Sequence, residues 1–129
     1  MAEYILKSKF SDDRKINVSS AGTHAMVDFP ADKVAQELML SKGMDMSLHR
    51  ARQLNDKLVY DVDLILTTSL EQQKYIEKKC PNACGRVHRV GKWGEYDVMD
   101  PYKRPQVIFE QAYALLEKGI NDWYRKLWA

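Results

Sequence analysis

The stretch Asp100-Pro101-Tyr102 sets a carboxyl group beside a proline that restricts the backbone on both sides of it. A carboxyl group held in a crevice can protonate a leaving oxygen, provided its surroundings bring its proton affinity towards working pH. By itself an Asp-Pro pair is a turn with a solvated carboxylate. Two further stretches, Ser19-Ser20-Ala21-Gly22-Thr23 and His49-Arg50-Ala51-Arg52-Gln53, gather hydroxyl, imidazole and guanidinium groups. Taken singly they are bland: the serines form turns, His49 caps a helix or satisfies a buried carbonyl, and Arg50 and Arg52 are solvated.

Two other patterns imitate sites. Cys80, Cys84 and His88 have Cys-x3-Cys-x3-His spacing, but Pro81 and Gly85 break the helix that would align them, and no fourth ligand is apparent. The expectation is two free thiols and no metal, since a disulfide across so short a loop is strained. Cys80 and Arg86 meet a bare Cys-x5-Arg pattern. The strand lies after that segment instead of before it, so the thiol has no in-line access to a group protonated by Asp100.

The elements that must position these residues follow from periodicity. Tyr4, Ile5, Leu6 and Phe10 make an amphipathic helix of Ala2 to Phe10. The alternation from Lys15 to Ser20 predicts a strand, closed by Ala21-Gly22. Pro30-Ala31-Asp32 starts a helix with Val34, Leu38 and Met39 on its buried face, and Gly43 ends it. Asn55 caps a short helix through Tyr60. The apolar run Asp63 to Thr68 predicts a central parallel strand, followed by a helix capped by Ser69 and Gln72 that runs to about Lys79. Arg86 to Val90 predicts a short strand. From about Pro105 a long helix carries Ile108, Ala112, Leu115, Leu116, Ile120, Trp123 and Leu127 at three- and four-residue intervals. Alternating strands and helices imply a parallel α/β sheet, in which ligands gather at the carboxyl ends of the strands.

Composition narrows the function classes. A formal charge of +2, with basic and acidic residues interleaved, does not suit nucleic acid. No apolar run reaches membrane-spanning length, and Met1-Ala2-Glu3 lacks the charge asymmetry of a signal peptide. With no repeat or linker, residues 1–129 read as one cytoplasmic domain.

Six motifs in order give the chain a resemblance that no one of them carries alone. Val18-Ser19-Ser20-Ala21-Gly22-Thr23, Pro30-Ala31-Asp32, Ser47-x-His49-Arg50-Ala51-Arg52-Gln53-Leu54, Asp63-Leu64-Ile65-Leu66, Gly91-Lys92-Trp93 and Asp100-Pro101-Tyr102 are similar to the low-molecular-weight protein tyrosine phosphatases. The likeness is greatest to the bacterial branch tied to capsule or exopolysaccharide control. It implies a three-layer fold, with a parallel sheet between helices. It also implies phosphotyrosine hydrolysis through a phosphocysteine, with no cofactor and no metal. By position, Asp100 is the general acid, Ser20 and His49 support the nucleophile loop, and Tyr102 with Met26 lines the aromatic slot. The implied partner is a phosphotyrosine protein, an autophosphorylating bacterial tyrosine kinase. Trp93 lines the cleft rim or packs in the core, and Trp123 is core.

The family opens with a strand and a Cys-x5-Arg loop, whereas Met1 stands where the following helix begins. The resemblance therefore predicts an N-terminally truncated chain that is inactive alone and lacks its first strand. Two exposed sheet edges would invite direct pairing, self-association or marginal stability. Two alternatives accompany this reading. One is a non-catalytic pseudophosphatase that binds partners. The other is a thiol-dependent arsenate reductase, which the Thr67-Thr68-Ser69 strand end and the late position of Cys80 disfavour.

Overall fold

A computed structural model describes residues 1–10 and 16–128. Helix α1 spans Ala2–Lys7, α2 Lys33–Ser41 and α3 Asp56–Tyr60; strand β1 (Ile65–Thr67) leads into α4 (Leu70–Lys79), then β2 (Val87–Arg89) and α5 (Gln106–Leu127). Single 3₁₀ turns at Pro81–Ala83 and Lys92–Gly94 flank β2. The two strands pair in parallel, with Ile65 opposite Val87 and Thr67 opposite Arg89.

Alternation along β1 sorts the helices into two layers. Leu66 packs into a core made by α1, α2 and α5, with Ile5, Met39, Leu116 and Ile120 at its centre. Ile65 faces the other way, with Val87, Val59, Ile76 and Cys80 under α3 and α4. Helices thus cover both faces of a parallel sheet, a three-layer α/β arrangement.

The caps follow the sequence closely. Asn55 accepts from the Leu58 N–H at 2.9 Å and Ser69 from the Gln72 N–H at 3.1 Å. The Gln72 side chain reaches back one residue further than a capping box requires, accepting from the Thr68 N–H at 3.0 Å. In α2 the cap is Asp32, which accepts from Val34 at 2.8 Å, so Pro30 lies before the helix, where it bridges to Arg50. Gly43 adopts φ +84° just past the end of α2, a left-handed position that glycine holds without strain.

Three further expectations change. Helix α1 ends at Lys7, and a turn carries the chain to Phe10, which packs edge-on against Trp128 at 5.1 Å. The strand predicted from Lys15 to Ser20 begins in residues outside those described, and 16–20 form no strand. Alternation is not enough there: Ile16 is exposed, and no described strand runs beside it to accept the ladder bonds. Helix α5 buries Phe109, Tyr113 and Gly119 beside Ala112, Leu116, Ile120 and Trp123, while Leu127 is exposed. A Cβ on Gly119 would come within 2.6 Å of both Val90 Cγ1 and the Val90 carbonyl, so the glycine is what lets α5 lie against the end of β2.

Candidate functional site

The carboxyl end of β1 is where the acid-bearing segment is fastened. The Val98 N–H donates to the Thr68 carbonyl at 2.7 Å, and the Val98 side chain is buried in the larger core. Two residues on, Asp100 is exposed, and its Oδ1 accepts from the Tyr102 N–H at 3.0 Å. The Tyr102 hydroxyl reaches Met26 Sδ at 3.8 Å, linking this segment to the turn after the serine-rich motif.

The serine-rich and histidine–arginine motifs brace one another. Gly22 donates to the Arg52 carbonyl and receives from the Leu54 N–H, both at 2.9 Å. Gln53 spans the same turn twice, donating to the Thr23 carbonyl at 2.7 Å and accepting from the Ala25 N–H at 2.9 Å. Arg52 Nε donates to the Ser20 carbonyl at 2.9 Å. Arg50 donates to the carbonyls of Ser47 and His49, so both guanidinium groups are engaged with backbone instead of reaching into a ligand site. A second contact pair closes the loop on Ala51, whose carbonyl accepts from Asp28 at 2.8 Å and whose N–H donates to Phe29 at 2.9 Å.

At the centre stands a residue that sequence reasoning passed over. Glu3 on α1 accepts from Ser20 Oγ at 2.6 Å and from Lys7 Nζ at 2.8 Å, and its Oε1 lies 3.9 Å from His49 Nδ1. Burial pushes the Glu3 carboxyl up, but the hydrogen bonds from Lys7 and Ser20 and the neighbouring charges outweigh it and hold the group below its usual value. Burial is also the main influence on His49; with the cations of Lys7 and Arg50 it overcomes the attraction of Glu3, and the imidazole titrates below its ordinary value. Near neutral pH the Glu3–His49 contact is therefore mainly carboxylate to neutral ring, and Tyr4 steadies that ring edge-on at 5.9 Å. In sequence, Glu3 and Lys7 form only an exposed-looking i,i+4 pair. Nothing there shows that the carboxylate points inward.

These elements enclose a cleft of about 250 Å³. Four of the five residues singled out for the site line it: Ser20, His49, Asp100 and Tyr102. Met26 touches Tyr102 at the rim without being part of the lining. Glu3, Asp32, Phe29 and the buried Phe109 complete the polar and apolar walls and were not singled out by the sequence. The lining offers an exposed carboxyl group that can deliver a proton, an aromatic wall, and a polar base already knitted together by Glu3. Among the described lining residues there is no arginine and no lysine.

Neither cysteine belongs to this cleft. Cys80 is 2% exposed, sits among Val59, Ile76 and Val87, and its thiol faces Asp56 Oδ1 at 3.6 Å. Arg86 donates to the Val62 carbonyl, so the Cys80-x5-Arg86 segment forms no anion cradle. His88 is held by the Gly85 carbonyl at 3.1 Å, and Cys84 is exposed. Trp93 stacks edge-on against the buried Trp123 at 5.3 Å and is absent from the cleft lining. Among the described residues, no group of three metal-ligating side chains converges.

Comparison with known proteins places the whole chain in one family. The family model described as low molecular weight phosphotyrosine protein phosphatase matches residues 1–129. The low molecular weight protein-tyrosine-phosphatase Ptp of Acinetobacter johnsonii is 38% identical over 127 residues, covering 98% of this chain and 87% of that protein. A probable low molecular weight protein-tyrosine-phosphatase, EpsP of Ralstonia solanacearum, is 38% identical over 112 residues, 87% of this chain and 77% of that protein. Among solved structures, Vibrio vulnificus Wzb in complex with benzylphosphonate superposes with a TM-score of 0.90 at 29% identity, covering 98% of this chain and 88% of that one.

Proposed function

Because this chain belongs to the low molecular weight phosphotyrosine protein phosphatase family, we propose that it is the acid-bearing and slot-forming body of a phosphotyrosine phosphatase. The observation that carries the reading is the single cleft gathering Ser20, His49, Asp100 and Tyr102. Asp100 delivers a proton to the leaving tyrosyl oxygen, and a carboxyl group that does so supplies about 10²–10⁴-fold in rate. Tyr102 and Met26 hold the aromatic ring of the substrate. Ser20 and His49, fixed through Glu3, form the polar base on which the phosphate-holding loop rests. In the chemistry the reading invokes, a thiolate attacks phosphorus, the phosphorus–oxygen bond to tyrosine breaks, and the departing oxygen takes its proton from Asp100.

The nucleophile in this reading is neither Cys80 nor Cys84, so the 129-residue chain is inactive alone. The substrate is a phosphotyrosine protein in the cytoplasm, a tyrosine kinase of the type that governs exopolysaccharide or capsule export. Relatives named EpsP and Wzb support that placement. The position of both cysteines outside the cleft favours one second reading, a phosphotyrosine-binding module without turnover.

The test is made on the protein expressed from its own gene and weighed intact. Hydrolysis of phosphotyrosine peptides that falls at least about 100-fold in Asp100→Asn is the expected result. Turnover unaffected by that substitution would sink the assignment of Asp100. Peptide binding without any turnover, in a protein whose mass equals that of this chain, would replace the phosphatase with the binding module.

A further inference from the structure

Asp97 is three residues before the proposed acid and has no part in the cleft lining, yet it is the most heavily used side chain of that segment. Its Oδ1 accepts from Arg89 Nη1 and from the Leu70 N–H, each at 3.0 Å. Arg89 is the last residue of β2, and its own carbonyl accepts from Trp123 Nε1 at 3.0 Å, so its backbone is tied to α5. Leu70 is the first residue of α4, where the amide has no partner within the helix. Asp97 thus supplies a second cap to α4 from 27 residues away, as a carboxylate at the positive end of a helix. Arg89 and the helix amide together hold its carboxyl below the usual range.

The neighbouring Val98 N–H is bonded to the Thr68 carbonyl at the end of β1. Asp97 and Val98 therefore pin one dipeptide to both strands and to α4. Beyond that point the chain is held differently. Asp100, Tyr102 and Lys103 are exposed, as half of the Asp97 side chain is; Lys103 takes φ +60°, and apart from the Tyr102 hydroxyl contact to Met26 Sδ at 3.8 Å the segment's bonds are local turns from Tyr102 to Asp100 and from Arg104 to Pro101. A carboxyl group in so lightly packed a turn keeps its direction only if the chain entering the turn is fixed.

We propose that Asp97, held by Arg89 and the Leu70 amide, is the positioning residue for the acid Asp100. Asp97 does not touch substrate. It sets where the Asp100 turn leaves the sheet, and so where the proton is offered. This rests on the phosphatase reading above. A displaced acid matters most when the leaving oxygen is basic, as tyrosine's is, and little when the leaving group departs without a proton. That difference separates positioning from general damage to the fold.

Two measurements test it. In the 129-residue chain, Asp97→Ala is expected to move the Asp100 and Tyr102 amide resonances and to speed exchange of the Tyr102 amide about tenfold, while amides in the middle of α5 keep their protection. Asp97→Asn, which keeps an acceptor but not the charge, shows a smaller change of the same kind. Unmoved Asp100 and Tyr102 resonances in Asp97→Ala would overturn the role outright, whatever the enzyme does. In the protein expressed from its own gene, Asp97→Ala is expected to lower kcat on phosphotyrosine peptide about tenfold, yet leave a dinitrophenyl phosphate within about twofold. Equal losses on both substrates would also overturn it. If the unsubstituted protein turns over neither substrate, the phosphatase reading falls, and the amide measurement alone decides whether Asp97 sets the turn.

Discussion

Two pockets among the described residues lie against the two cores on opposite faces of the sheet, and one is far roomier than the other. The cleft between α1, the braced turn and the Asp100 segment encloses about 250 Å³, with four carboxyl or imidazole groups in its walls: Glu3, Asp32, His49 and Asp100. The pocket beside Cys80, lined by Thr23, Gln53, Asp56 and Tyr75, encloses about 10 Å³, roughly the room for one water. The second holds Cys80 of the chain's bare Cys-x5-Arg pattern, although Arg86 does not line it. The structure shows a buried thiol there and an arginine tied to a carbonyl. Spacing proposes a reaction, but access and convergence decide whether one can occur.

The strongest way to break this contrast is to collapse the open side. Phe109 is 2% exposed, and its ring is both cleft wall and core. Phe109→Ala is expected to cost about 3–5 kcal/mol, read as a lower denaturant midpoint. A loss under about 1 kcal/mol would mean the cleft floor is not packed as described.

The closed side predicts a smaller effect. Cys80→Ala removes one buried sulfur for about 1 kcal/mol and leaves the Asp100 and Tyr102 resonances in place. A thiol reagent should label the exposed Cys84 of the folded chain at once, and Cys80 only as the structure opens. Equal labelling rates would show that Cys80 is not shut away in its pocket as described.

The smallest expected effect is on pH dependence, and it sharpens the account of Glu3 as the hub. Both Glu3 and His49 titrate below their ordinary values in the folded chain, so the unfolded chain binds more protons and stability rises with pH. The His49 contribution is complete above about pH 6.5 and is lost as pH falls through its lower folded value. The Glu3 contribution goes later, below the ordinary carboxylate range. His49→Gln should flatten the first part of that loss between about pH 7 and about pH 5, measured as denaturant midpoint against pH. An unchanged profile would remove His49 from the titrating groups that matter there.

Local chemistry was legible where one short segment supplies both partners. Asn55 and Ser69 cap from side chain to a backbone amide three residues away, so residue type and spacing determine them, whereas Pro30-Ala31-Asp32 was read as the helix start itself and Asp32 proved to be its cap. The central strand at Ile65–Thr67 and the long last helix were also read from periodicity, because burial on defined faces imprints a repeat on the sequence. Asp100, Ser20, His49 and Tyr102 were found through the order of six motifs, and their meeting in one cleft is a tertiary fact. Three features had no local signature. Residues 16–20 alternate but form no strand, since a strand needs a neighbour that its own sequence does not contain. Glu3 and Lys7 read as a surface pair until Ser20 and His49 arrive from 17 and 46 residues away. Asp97 reads as a loop acid until Leu70 and Arg89 claim its carboxylate. Sequence alone determined the central strand, most of the helices and several of their caps, because those depend on residues close along the chain. Which carboxylates point inward, and which side chains share the cleft, was decided by contacts that only the folded chain brings together.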